Sequence, residues 1–249
     1  MKKLSNTKTI QENYIILGEK INPFLENLKN KQKILELCHL GKFLIFFNEL
    51  SILELSEKPD FILSDNNEKI GIEHQIIVNQ KPKEKEGFYK NIFEKANDIL
   101  KENTELPNFL ANCYVKPYVN FKLNQKNYLI EIIVSVVKEY VLNNYLIENP
   151  LIESIFKTPH SQKSVNVNLG AWWENKITKE IIIDAVDKKE KKITEYKKKK
   201  TDKQWLLMVI GGTGESSYNM DEKIELVLET KFDKVFILED LYNNLYQIK

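Results

Sequence analysis

Two carboxylates and an amide stand close enough along the chain to share one side of a β-sheet. Asp60 lies in Glu57-Lys58-Pro59-Asp60-Phe61-Ile62-Leu63; Glu73 and Gln75 lie in Ile70-Gly71-Ile72-Glu73-His74-Gln75-Ile76-Ile77. The two runs read as paired strands joined by a turn at Asp65-Asn66-Asn67. Side chains alternate along a strand, so Glu73 and Gln75 project from one face and Ile72, His74 and Ile76 from the other. Asp60, at the entry of the first strand, can reach the Glu73 face. Two carboxylates so placed can share a hard, oxygen-preferring cation, Mg²⁺ or Mn²⁺ in its stead, with the backbone carbonyl of His74 as a further ligand.

Those residues need elements to hold them. From Lys31 to Phe47 apolar residues fall on nearly every face of a helical wheel, which predicts a buried helix. Glu36 on that helix is surrounded by Leu40, Phe43 and Phe47, and a buried carboxylate needs a reason or a lysine partner. Ser51–Leu55, Phe61–Leu63 and Lys69–Val78 then read as an antiparallel meander. Further on, Ile181–Lys197 reads as one periodic helix whose apolar stripe is Ile182, Val186, Ile193 and Tyr196. Lys189 falls inside the stripe and Lys188, Lys191 and Lys192 outside it, so Lys189 either finds a buried partner or snorkels to water. An apolar strand at Trp205–Ile210, a short helix at Lys223–Leu228 and a strand at Lys234–Leu238 complete an α/β sheet whose last two strands are central and buried. The stretch from about 79 to 170 reads as an insertion, with helices at Tyr89–Leu100 and Asn127–Leu146 and a strand at Tyr114–Phe121.

At Pro59-Asp60 and Glu73-His74-Gln75 the sequence resembles the PD-(D/E)XK nuclease superfamily, whose sheet carries Pro-Asp on one strand and Glu-x-Lys on the next. Gln75 departs from that pattern, standing where the lysine usually stands. The resemblance covers the order of elements in 31–78 and 179–240. It implies a restriction-endonuclease-like α/β core, with a mixed central sheet flanked by helices, interrupted by a largely helical insertion within a single domain spanning 1–249. It also implies Asp60 and Glu73 as metal ligands, Glu36 as a further member of the metal shell with Glu49 and Glu54 as weaker stand-ins, and Lys189 as a lysine supplied from the helix. The implied activity is Mg²⁺-dependent hydrolysis of phosphodiester bonds, in DNA ahead of RNA, with a restriction or phage-defence role. An inactive relative that binds nucleic acid or protein is the alternative.

Composition narrows the partners. The chain has 249 residues, 37 of them basic and 36 acidic, so no bulk polycation is present. Every basic residue apart from three histidines is lysine, which excludes arginine fingers and guanidinium reading of guanine. Lys188, Lys192, Lys197 and Lys198 could follow a nucleic-acid backbone, with Trp172, Trp173 and Tyr196 as stacking faces; a solvated helix end explains the same lysines. Gly211-Gly212-Thr213-Gly214-Glu215-Ser216-Ser217 lacks the P-loop lysine, and Glu215 would repel a phosphate, which leaves a small-molecule enzyme as a third reading. His74 reads as a core histidine; His39 and His160 carry no context. Cys38 and Cys113 belong to no CxxC pair, and no apolar run approaches a membrane span, so a cytoplasmic protein is expected. A homodimer is left open.

Overall fold

A computed structural model describes residues 1–65, 68–116, 121–170 and 175–249. The elements in chain order are β1 (Lys2–Leu4), α1 (Ile10–Leu25), α2 (Lys31–Leu44), β2 (Ser51–Leu55), β3 (Phe61–Asp65), β4 (Glu68–Ile76), α3 (Gln80–Glu102), β5 (Phe109–Val115), α4 (Lys126–Asn143), β6 (Ile152–Pro159), β7 (Ser164–Asn168), β8 (Asn175–Lys176), α5 (Lys179–Glu190), α6 (Ile193–Tyr196), β9 (Lys203–Ile210), β10 (Tyr218–Asn219), β11 (Lys234–Glu239) and β12 (Asn244–Gln247). They divide into two compact units, one of Met1–Asn79 with Glu174–Lys249 and the other of Gln80–Trp173. No described helix is long and apolar enough to cross a membrane.

The first unit is mixed α/β, built on a seven-stranded sheet in the order β1-β12-β11-β9-β4-β3-β2. β2, β3 and β4 form an antiparallel meander; β9 then lies parallel to β4, and β11 parallel to β9. β9 sits at the centre and is apolar almost throughout because helices cover both faces. Leu206, Met208 and Ile210 pack in the cluster that contains Ile182, Ala185 and Val186 of α5, whereas Trp205, Leu207 and Val209 pack with Leu37, Leu40, Phe43 and Leu44 of α2. α2 starts where the Asn30 side chain accepts from the backbone N–H groups of Gln32 and Lys33. Gly41 lets α1 cross it closely, since a Cβ there would fall 2.5 Å from Leu17 and 2.8 Å from Ile21. With α1, β1 and β12, this unit is larger than 31–78 and 179–240.

Two expectations change. The predicted helix 181–197 is broken: α5 ends at Glu190, Lys192 N–H turns back to the Lys189 carbonyl at 3.0 Å, and the short α6 keeps Ile193 and Tyr196 on the buried side. Lys223–Leu228 is not helical. Its apolar residues Ile224, Leu226 and Leu228 recur every second position, and all three pack on the same core from a segment without regular structure.

The second unit adds to its two long helices a three-stranded sheet where the sequence predicts one strand. α3 and α4 bury Ile92, Phe93, Leu129, Ile133 and Val137 against a three-stranded sheet of order β6-β5-β7, with β6 antiparallel and β7 parallel to β5. β6 and β7 expose polar residues at most of their outward positions, so neither makes the continuous apolar run that marks a strand in sequence. β5 begins five residues before the predicted strand at 114–121 and shares Tyr114 and Val115 with it; 117–120 fall outside the described residues, as do the turn residues Asn66 and Asn67.

Candidate active site

The meander delivers Asp60 to Glu73 through a missing side chain. Pairing of Phe61 with Ile72 and of Ile62 with Gly71 fixes the register. A Cβ on Gly71 would fall 2.8 Å from the Pro59 ring and 2.7 Å from Gln204 Oε1, so glycine allows Pro59 to lie on β4 and Asp60 to follow it. Asp60 Oδ2 then accepts the backbone N–H of His74 at 2.8 Å. N–H and C=O of one strand residue point to the same side, so the His74 carbonyl opens toward Asp60 as well. Glu73 is 5% exposed and faces α5, where Lys189 Nζ donates to its Oε1 at 2.6 Å. Lys189 is brought there by the burial of Ile182, Ala185 and Val186, the stripe that contains it. Glu36, Asp60, Gln75 and Lys189 wall a solvent-open pocket of about 400 Å³.

The electrostatics are those of crowded acids held by ammoniums. Burial, and then the charge of Glu73, push the Asp60 carboxyl up to about 6, against the opposing pull of the His74 N–H and Lys33. Burial, and then the Glu73 carboxylate, raise the Tyr196 phenol. Lys33, one turn before Glu36 on α2, sits 3.1 Å from Glu36 Oε2 and 3.5 Å from Asp60 Oδ1. Gln32 Nε2 donates to the other Glu36 oxygen at 3.0 Å, so both oxygens of that carboxylate have partners.

Beneath Asp60 lies a buried pair of imidazoles. His39 Nδ1 and His74 Nε2 are 3.0 Å apart with their rings nearly parallel, one nitrogen donating and the other accepting. Burial, and then the charges of His39, Lys189 and Lys33, lower His74 to about 3; burial lowers His39 too. His39 Nε2 lies 3.7 Å from Asp240 Oδ1, which Lys42 holds at 2.5 Å.

The structure therefore sets Glu36, Asp60, Gln75 and Lys189 around one pocket, with His74 beside them and Glu73 buried against Lys189 outside the pocket lining. The remaining lysines stand elsewhere: Lys188 is exposed and paired with Asp184 at 2.6 Å, and Lys192, Lys197 and Lys198 are exposed beyond the end of α5. Tyr196 is 1% exposed, so it is not a stacking face for a base. Trp172 and Trp173 lie outside the described residues. Glu49 is exposed and Glu54 pairs with Lys199 at 2.7 Å, away from the pocket wall.

Sequence reasoning overlooked Lys33, although Lys33, Leu37, Leu40 and Leu44 follow the i, i+4, i+7, i+11 spacing that puts all four on one face. It also missed the Asp240–His39 contact, which joins residues far apart in sequence and has no local signal.

Among the described residues no group of three or more His, Cys, Asp or Glu side chains is arranged to hold a metal ion. Two carboxylates nonetheless suit Mg²⁺, which keeps several waters and takes one or two protein carboxylates. One buried acceptor fits the same use, because Gln75 Oε1 has no hydrogen-bond donor, whereas the second Glu73 oxygen is buried beside the Tyr196 phenol. The donor set is all oxygen. Comparison of the chain with protein-family models, curated proteins and solved structures gave no match.

Proposed function

We propose that the protein is a Mg²⁺-dependent nuclease that hydrolyses phosphodiester bonds of nucleic acid, DNA ahead of RNA, on a restriction-endonuclease-like core. The observation that carries the reading is the convergence of Asp60 and Glu73 from adjacent strands with Lys189 seated on Glu73 from the next helix. The element order supports it: an antiparallel β2-β3-β4 meander, then α5, then β9 parallel to β4.

Asp60 and Glu73 would hold the ion, with the His74 carbonyl directed to the same side. When bound, Mg²⁺ supplies positive charge beside the scissile phosphate and lowers the pKa of water. Gln75 lines the pocket with a side-chain amide that can hydrogen-bond a water and aim its oxygen lone pair at phosphorus. Lys189, tethered by a buried helix face, supplies an ammonium for charge that grows on the phosphoryl oxygens in the transition state. Glu73 and Lys189 also fix each other's rotamer before substrate arrives, which is preorganisation.

A second reading, an inactive binding module, is favoured by one feature: the Asp60, Glu36 and Glu73 carboxylates already have ammonium neighbours. Mn²⁺ titration of the wild type and Glu73→Ala, run beside cleavage of duplex and single-stranded DNA, separates the two. The nuclease reading expects saturable Mn²⁺ binding and metal-dependent cleavage, both lost in Glu73→Ala. Wild-type protein that binds nucleic acid but neither Mn²⁺ nor cleaves establishes the module.

A further inference from the structure

Around Lys33 the chain builds a cation cage and fills it with its own ammonium. Lys33 Nζ donates to the backbone carbonyls of Ser56 at 2.7 Å and Asp60 at 3.2 Å. It lies 3.1 Å from Glu36 Oε2, 3.5 Å from Asp60 Oδ1 and 4.8 Å from the centre of the Phe61 ring. Its side chain is 11% exposed. Carbonyl and carboxylate oxygens converging on one point are the ligand set of a hard metal ion, whereas an ammonium has only three protons to offer. The cage is held from outside: Ser56 N–H donates to the Asp60 carbonyl at 2.9 Å, and Gln32 fixes Glu36.

We propose that Lys33 is a built-in counter-cation occupying the position that a second divalent ion would take between Glu36 and Asp60, so that this site works with a single exchangeable ion. The count of one rests on the nuclease reading; the second position rests on the cage alone. Two-metal sites place their ions about 4 Å apart, bridged by a shared carboxylate. Asp60 is that bridge here, with Oδ1 toward Lys33 and its charge also facing Glu73. A tethered ammonium gives one positive charge that needs no loading and that a chelator cannot remove. Glu36 is then the partner of Lys33 and not a ligand of the ion at Asp60 and Glu73.

The test is the number of Mn²⁺ ions bound per chain, read by electron paramagnetic resonance titration of wild type, Lys33→Ala and the double variant Lys33→Ala/Glu36→Gln. Lys33→Ala should bind one ion more than wild type, and the double variant should lose it. Lys33→Met, which keeps the stem on Phe61 without the charge, should repeat the gain if Lys33→Ala folds poorly by circular dichroism. A folded Lys33→Ala or Lys33→Met with no extra ion overturns the proposal, as does a wild type that binds two. The failures are distinguishable. An extra ion in the variant over a wild type that binds none sustains the cage and sinks the nuclease; one ion in both sinks the cage alone.

Discussion

Glu73 and Lys189 are each a problem that the other solves. A carboxylate 5% exposed in the sheet and a lysine on the apolar stripe of a helix would each be expensive alone, and at 2.6 Å they neutralise one another. Lys189→Ala therefore leaves a buried unpaired charge and should destabilise the fold by about 3–5 kcal/mol, whereas Lys191→Ala at an exposed position should change it by less than about 0.5 kcal/mol. Urea unfolding of the two variants checks this, and the double variant Glu73→Gln/Lys189→Met should recover most of the loss. In cleavage, Lys189→Ala should fall roughly a hundredfold or more below Lys191→Ala. Equal rates would mean that a diffuse lysine patch, not this ammonium, meets the phosphate. Gln75→Lys should restore part of the rate in the Lys189→Ala background, and strict additivity would show that the two positions do not share a role. The Lys189 position was legible in sequence because a helical wheel singles it out from its lysine neighbours. Its partner was not, since which of several acids faces a given helix is settled by strand pairing between residues 116 apart.

The meander β2-β3-β4 was legible because short apolar runs are set off by turn residues, and the parallel β9 because burial on both faces makes it one continuous apolar run. β6 was illegible because its buried residues Ile152 and Ile155 stand three apart and break the alternation of a strand, β7 because it buries only Val165, and α6 because a break after Glu190 leaves the buried stripe nearly intact. Gly71 is the point at which the element's local conformation decides the site. Gly71→Ala introduces a Cβ at 2.7–2.8 Å from Gln204 and Pro59, closer than real Cβ contacts, so Pro59 must lift off β4. Asp60 follows it and loses the His74 N–H. The expected outcome is a loss of metal affinity by tenfold or more, because a misplacement of about 1 Å costs on the order of 10²-fold in oriented chemistry, together with a modest loss of stability. Gly87→Ala, in open space on the exposed face of α3, is the control and should leave both unchanged or raise stability slightly. Unaltered Mn²⁺ affinity in Gly71→Ala would show that Asp60 is placed by something other than this close approach.

At the scale of the whole molecule, the same buried groups set how stability responds to acid, and they pull in opposite directions. His74 titrates at about 3 in the fold against 6.5 for an exposed imidazole, so between those values the unfolded chain holds a proton that the fold refuses. Stability from that group is complete above pH 6.5 and drains as pH falls toward 3. His39, also lowered, adds to the drain. Asp60 does the reverse, since its carboxyl titrates at about 6 in the fold against 3.8, so the fold holds a proton there that the unfolded chain lacks. Its contribution grows as pH falls from 6 to about 4, offsetting one imidazole over the same window. Asp60→Asn keeps a carbonyl oxygen for the His74 N–H but removes that titration. In EDTA, the variant should match or exceed wild type in stability at pH 7, where the Asp60–Glu73 repulsion is gone. It should then lose stability more steeply than wild type between pH 6 and 4, by up to about 1.4 kcal/mol per pH unit. Unfolding free energies at pH 7, 6, 5 and 4 decide it. Parallel curves would mean that Asp60 ionises as freely in the fold as in the unfolded chain, and the crowded pair of carboxylates on which the site depends would not exist.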